Sequence, residues 1–254
     1  MSQQVNIRFY EELNDFLAQY QCDTDFDVDL KKVRSVKDLI ESVGIPHTEI
    51  DVIIVNEESV GFNYQVQPDD HISVYPVSDL LPESILIEPS ALLHCQSQLS
   101  GDARFVLDVH LGRLAAYLRM LGFDTLYKND FDDPTLADIS ANEHRILLTC
   151  DRMLLMRKQI SHGYFVRNRQ PQQQLLEILS HFGLYDELKP FTRCLRCNGI
   201  TQPVEKQAIE AQLLPKTKKY YNEFFQCISC KKIYWKGSHY LKMKEMINSV
   251  KTMC

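Results

Sequence analysis

No run of about 18 apolar residues occurs in the sequence, so a helical membrane span of ordinary length is not expected. Nor does a basic-then-apolar leader open it, so no secretory signal is expected and the expected location is cytoplasmic. Internal repeats and low-complexity tracts are missing apart from the short run Gln172-Gln173-Gln174. A disulfide framework is missing too: of eight cysteines, Cys22, Cys95, Cys150 and Cys254 stand isolated and read as ordinary thiols. The other four form two C-x-x-C pairs, Cys194/Cys197 and Cys227/Cys230, which in an intracellular chain read as metal ligands.

What the chain does contain is a charge gradient. The net charge of −6 hides −11 over residues 1–80 and +8 over residues 190–254. A polyanion would therefore be held by the C-terminal part and repelled by the front end, although two solvated faces explain the same asymmetry. With 254 residues, two or three compact units are expected.

Hydrophobic patterning divides the chain. Residues 5–10 and 26–30 alternate as strands, with a helical stretch from Leu13 to Tyr20 between them. Ser35 and Gly44 bracket a helix, with Asp38 in its first turn. An apolar run, 52–55, a short Gly61-Phe62 segment, the turn Pro68-Asp69-Asp70 and a closing strand, 72–76, follow. This order is a ubiquitin-like β-grasp pattern, which sets a first domain at 1–80. Residues 81–102 contain scattered proline and serine without a sustained period and read as a linker or surface strap. From Ala103, strands at 105–108, 123–127, 146–149 and 164–166 alternate with helices at 111–121, 134–144, 153–160 and 172–182. That alternation predicts an α/β domain over 103–189, its parallel sheet covered on both faces by helices. A zinc ribbon with a basic surface is expected over 190–254.

Two C-x-x-C turns present four thiolates as the corners of a tetrahedron, the geometry of structural zinc. Such a closed sphere leaves no position for water. The 29 residues between the pairs exceed the usual ribbon spacing of about 15–20 and predict an insertion. Arg193, Arg196, Lys231, Lys232 and Lys236 flank the pairs, beside Tyr234, Trp235, His239 and Tyr240. Cations interleaved with rings suit a nucleic-acid surface; rings packed over the zinc are the equal alternative.

In open α/β sheets ligands bind beyond the carboxyl ends of the strands. Asp108 and Asp151 follow two such strands, and Asp133 precedes Pro134 at a helix start. Three carboxylates from separate elements suit a hard divalent cation, Mg²⁺ or Mn²⁺. Asp133 is equally placed to cap its helix, with Asp130, Asp132 and Glu143 as nearby substitutes. Arg113, Arg119 and Arg152 are placed to clamp a phosphate or to make surface ion pairs, and His110 lies close to Asp108.

The segments FVLDVHLGRLAAYLRMLGFDTLY, DDPTLADISANEHRILLTCDRMLL, RCLRCNG and FQCISCKKIYWKGSHY resemble the mutator-seven C-terminal RNase family, a PIN-like nuclease domain fused to a zinc ribbon. Residues 5–76, with SVKDLIESVGIPHTEIDVIIVN, look like the ubiquitin-like domain at the front of some members. The resemblance implies a three-layer PIN-like fold and metal-dependent RNA hydrolysis leaving a 5′-phosphate. PIN nucleases carry D-x-x-I-A sixteen residues before the Thr of T-x-D; here Asp133-Pro134-Thr135-Leu136-Ala137 stands sixteen residues before Thr149-Cys150-Asp151. By this likeness Asp108, Asp133 and Asp151 hold the cation, Arg113 and Arg119 counter the developing charge, RNA is the substrate, and the ubiquitin-like part contacts a protein partner. An RNA-binding adaptor without catalysis is the alternative. Two departures stand out. Residues 111–121 contain no fourth acid, and residues 76–80 lack the terminal Gly-Gly that sulfur carriers need.

Overall fold

Alternating burial organises the front of the chain. In β1 (Gln4–Phe9), Val5, Ile7 and Phe9 are buried while their neighbours are partly open, the period-2 signature of a strand with one face on a core. The computed structural model describes residues 4–30, 35–76, 92–95 and 103–251. With β2 (Phe26–Asp29), α1 (Val36–Val43), β3 (Ile50–Val55), β4 (Glu58–Val60) and β5 (His71–Pro76) it forms a five-stranded sheet in the order β2-β1-β5-β3-β4. β1 and β5 run parallel and the other neighbours antiparallel. Val36, Leu39 and Ile40 of α1 pack on Ile7, Phe9, Ile53 and Val74, giving the expected ubiquitin-like layer of one helix on a mixed sheet.

Local signals set the ends of α1. Ser35 Oγ accepts from the Asp38 N–H and the Asp38 carboxylate accepts from the Ser35 N–H, each at 3.2 Å, forming a capping box. Gly44 ends the helix at φ 100°, a left-handed conformation that favours glycine. Two expectations change. The helix from Leu13 to Tyr20 is only a 3-10 turn, Glu11–Phe16. It buries Leu13 and Phe16, and the Asn14 side chain, bonded to the Phe9 and Glu11 carbonyls and to Asp23, turns the chain away before Tyr20. Strand β4 lies just ahead of the segment expected at Gly61-Phe62, which itself leads into a turn. Asn56 and Glu57, at φ 48° and 70°, close a two-residue hairpin directly after β3.

Most of the expected linker, 81–102, lies outside the described residues. Its described part, Leu92–Cys95, runs along β3: Val52 bridges His94, Cys95 N–H donates to Asp51 O at 2.6 Å, and Leu92 packs with Val52 and Tyr75.

The α/β elements follow: β6 (Arg104–Leu107), α2 (Gly112–Leu121), β7 (Asp124–Leu126), α3 (Asp133–Glu143), β8 (Ile146–Thr149), α4 (Arg152–Leu155), β9 (Gly163–Phe165) and α5 (Pro171–His181). β6 pairs β7 in parallel and β8 pairs β9 in parallel. Phe105, Val106 and Leu107, like Ile146, Leu147 and Leu148, are buried without alternation, as in strands covered on both faces. The expected helix 153–160 stops after Leu155, four residues long, with Asp151 as its N-cap. Last come β10 (Thr201–Val204), α6 (Lys206–Ile209), α7 (Pro215–Tyr220), β11 (Phe224–Cys227), β12 (Ile233–Trp235) and α8 (Ser238–Lys251). β10, β11 and β12 form a three-stranded antiparallel sheet, with α6 and α7 as the insertion between the cysteine pairs. No helix among the described residues is long and apolar enough to cross a membrane.

Compactness divides the chain into residues 1–101 with 132–165, and residues 102–131 with 166–254. The first unit joins the ubiquitin-like elements to the segment from α3 to β9. The buried His47 ring lies 2.7 Å from Glu41 Oε1 and 2.8 Å from Ile160 O. Glu49 Oε1 accepts from the Phe165 N–H at 2.7 Å, and the Phe16 and Phe165 rings meet edge-on at 5.2 Å. Replacing Ser35 with Ala removes one half of the capping box and should lower unfolding stability by about 1 kcal/mol, read as a lower urea midpoint with α1's packing intact.

Candidate functional site

Four sulfurs come together in the second unit. The Sγ atoms of Cys194, Cys197, Cys227 and Cys230 all lie within 4.8 Å of one another; Cys194 and Cys230 are 3.6 Å apart, Cys197 and Cys227 3.5 Å. A tetrahedral zinc at about 2.3 Å from each sulfur requires S···S separations of about 3.8 Å, so the residues fit the ion. Both pairs use the same turn: Asn198 N–H donates to Cys194 O and Lys231 N–H to Cys227 O, at φ 68° and 60°. Burial opposes ionisation of Cys194, but hydrogen bonds from the Tyr234 hydroxyl and the Cys197 and Arg196 N–H groups outweigh it and lower the thiol to about 6. Burial, reinforced by the other three sulfurs, pushes Cys197 up to about 12. One thiolate is favoured and a second beside it is opposed, an imbalance that a dication removes.

The first cysteine turn is fastened to α2 and β7. Arg119 is buried, with Nε donating to Thr125 O at 2.9 Å, Nη1 to the Leu195 and Arg196 carbonyls at 3.2 Å each, and Nη2 to Tyr127 O at 3.4 Å. Its burial lowers the guanidinium pKa while Cys194 and Cys197 raise it, which marks it as the cation facing the thiolates. A zinc held by four thiolates would carry excess negative charge, and Arg119 is placed to offset part of it. The expectation that Arg119 clamps phosphate is therefore corrected: a buried guanidinium aimed at four carbonyls has no face left for RNA. Asn198 completes the joint, donating to Asp124 Oδ1 at 2.7 Å and accepting from the Thr125 N–H at 3.0 Å. Arg193, expected on a nucleic-acid surface, lies 3.3 Å from Asp124 Oδ2 and donates to the Gly122 and Asn198 carbonyls. Gly122 sits at φ 103°, where a Cβ would meet Lys189 O at 2.3 Å.

Each carboxylate expected to hold a cation lies at the start of a helical turn. Asp108 follows β6 and accepts from the Val109 N–H, beginning the 3-10 turn Val109–Leu111. Tyr127 donates to Val109 O at 2.9 Å and lies where a side chain on residue 112 would stand, so Gly112 is required there. Asp151 follows β8; its Oδ1 accepts from Met153 N–H at 2.8 Å and Leu154 N–H at 3.4 Å, while its own N–H donates to Thr149 Oγ1 at 3.0 Å. Its other oxygen accepts no hydrogen bond among the described residues. The N-cap of α3 is Asp132, whose Oδ1 accepts from the Thr135 N–H at 2.9 Å; that bond lowers its carboxyl pKa. Asp133 is thus released from capping, and its Oδ2 lies 3.5 Å from Arg157. Glu143 is paired to Arg145 at 2.7 Å. Arg113 and His110 are exposed. Asp108 belongs to one compact unit, Asp133 and Asp151 to the other.

Arg152 has a different neighbour from the expected phosphate. Nη1 donates to Phe16 O at 2.9 Å and Nη2 to Asp15 O at 3.3 Å, with the guanidinium over the Phe16 ring at 4.7 Å and the Phe165 ring at 5.6 Å. The residue after Asp151 is thus held by the ubiquitin-like segment, a role sequence patterning misses because the two lie more than 130 positions apart.

The aromatics beside the cysteines divide between the two readings left open by the sequence. Tyr234 packs over the sulfurs, its hydroxyl 3.0 Å from Cys194 Sγ and accepting from the Leu195 N–H at 3.1 Å. Trp235 is exposed, as are Lys231, Lys232 and Lys236. Lys236 is paired with Glu223 on the open surface.

Residues 103–247, more than half of the chain, match the family model described as Mut7-C RNAse domain, and residues 2–81 match the one described as Mut7-C ubiquitin. No curated protein and no solved structure matches the chain.

Replacing Arg119 with Met should strand the Leu195 and Arg196 carbonyls, destabilise the fold by about 1–3 kcal/mol in urea, and speed zinc transfer to a chromogenic chelator. Arg119→Lys keeps the charge without the fork and should restore stability only in part.

Proposed function

Because the chain belongs to the Mut7-C RNAse family, with the family's ubiquitin-like module ahead of it, we propose that it is a divalent-cation-dependent ribonuclease whose carboxylate site is distinct from its zinc site. The observation that carries the reading is the position of Asp108 and Asp151 after the carboxyl ends of two parallel-paired strands, where α/β folds place their ligands. Asp133 joins them in the proposal, supported by its release from capping by Asp132. The domain division at 1–80, 103–189 and 190–254 is part of the same proposal.

In this reading Asp108, Asp133 and Asp151 hold Mg²⁺ or Mn²⁺, and the donor set of hard carboxylate oxygens suits either ion. The ion supplies Lewis-acid neutralisation of the phosphoryl oxygens and an acidified water. The protein's own groups do the rest. The N–H groups of Val109 and Met153 each hold one oxygen of their aspartate, which fixes the carboxylates before substrate arrives. Arg113, exposed at the start of α2, is the cation assigned to the scissile phosphate; Arg119 is not, since its donors are engaged. Thr149 positions the backbone that carries Asp151. Zinc, held by the four cysteines, cross-links the basic C-terminal part, whose exposed lysines grip the RNA strand. The ubiquitin-like module contacts a protein partner.

Zinc-loaded protein incubated with single-stranded and structured RNA should cleave it with Mn²⁺ present. Asp108→Asn and Asp151→Asn should each lower the rate by about 10²-fold or more while leaving RNA affinity in place. Cleavage that survives both substitutions would overturn the site; RNA binding with no cleavage under any cation would replace the enzyme with an adaptor. Neutralising Lys231, Lys232 and Lys236 together should weaken binding and reduce the slope of log affinity against log salt by about 2, at about 0.7 per phosphate contact on a single strand.

A further inference from the structure

The C-terminal part contains an open cavity of about 330 Å³ beside the cysteine cluster, within the size range of small-molecule pockets, about 300–1,000 Å³. Its walls include Phe191, Phe225, Tyr234, Trp235, Tyr240 and Met243, with Lys236 also among the lining residues. No aspartate or glutamate lines it. Phe191, Phe225 and Tyr240 are only half-buried and Trp235 is 38% exposed, so the rings form a surface slot instead of a closed core.

Backbone strain at Phe191 points to the same place. A bulky aromatic at φ 65° lies in the left-handed region, which strains a residue other than glycine and persists only where its surroundings hold it. Two hydrogen bonds do so: Phe191 N–H donates to Met120 O at 2.9 Å, and Thr201 Oγ1 donates to Phe191 O at 2.8 Å. The outcome of that conformation is a ring 4.7 Å from the Tyr240 ring, on the wall of the slot. Packing over zinc does not account for it, since Tyr234 already covers the sulfurs.

We propose that this slot takes an unstacked nucleobase of a single RNA strand between its aromatic walls, with the adjoining phosphates on Lys236 and the exposed Lys231 and Lys232. The identity of the polyanion rests on the ribonuclease reading above; the slot itself rests on its rings, its charge and the strained Phe191. Flat π-faces attract bases of every kind, and the excess of positive charge over residues 190–254 complements the strand. The Lys236 ion pair with Glu223 lies on the solvent-exposed surface, where such a pair exchanges readily for phosphate. The slot reads no sequence: the hydroxyls of Thr192 and Thr201 are already donated to the Lys189 and Phe191 carbonyls, leaving little to address a base edge. Purines, with larger faces, are favoured over pyrimidines by stacking alone.

Trp235 is the chain's single tryptophan, so its fluorescence reports on the slot directly. Full-length, zinc-loaded protein without added Mg²⁺ or Mn²⁺ is titrated with a ten-nucleotide oligoadenylate and with an abasic ribose-phosphate oligomer of the same length and charge. Saturable quenching by oligoadenylate, absent or far weaker with the abasic oligomer, is the expected result. Tyr240→Ala should weaken oligoadenylate binding about ten-fold without changing the salt slope, because a ring and no phosphate contact is lost. Met243→Glu, on half-buried α8 surface, should weaken it as well if Tyr240→Ala proves to lose zinc. Equal quenching by the two oligomers, or RNA binding and cleavage with no quenching, would overturn the slot while leaving the ribonuclease standing. Cation-dependent cleavage that fails while base-dependent quenching persists would overturn the nuclease reading alone.

Discussion

The buried guanidinium of Arg119 is the joint on which the C-terminal half depends. Four carbonyls from β7, its exit and the first cysteine turn converge on one planar cation, which ties these segments together. Asn198 and Arg193 add bonds to Asp124, Thr125 and Gly122, so the sulfur cluster is built onto α2 and β7 and is not a bead on a tether. Such a joint sets the orientation of the cysteine cluster and its aromatic face relative to α2.

A second joint works in the other compact unit. His47, Glu49 and Phe16 of the ubiquitin-like part reach Ile160, Phe165 and Arg152. These are side chain to backbone bonds in buried or half-buried settings, where an orphaned partner is costly. The turn that displays Asp151 is therefore supported by the N-terminal module itself. A fused ubiquitin-like fold is usually read as a surface for partners, and here part of its surface is already occupied within the chain.

Much of this was legible in the residues. Ser35, Asp38 and Gly44 mark α1 because capping is local chemistry, settled within a few positions. Continuous apolar runs announced the strands of the α/β part, and two C-x-x-C pairs announced a tetrahedral site. Leu13 to Tyr20 has helical spacing, yet the Asn14 side chain bonds to the nearby Phe9 and Glu11 carbonyls and ends the turn early. Asp133 stands before a proline, yet Asp132 takes the cap. Arg119, Arg152 and Arg193 looked like phosphate ligands because sequence shows a charge without its burial.

The sequence by itself determined the order of elements, the thiol chemistry and the charge gradient, since each depends on residue type and short spacing. Tertiary structure decided which arginines are spent inside the fold, which aspartate caps and which is released, and which rings cover the sulfurs and which line an open slot. The cap is settled by Thr135 three positions on, but the arginines depend on partners tens of positions away, as when Arg119 meets Leu195 and Arg152 meets Phe16, and only the packed chain brings such partners within hydrogen-bond distance.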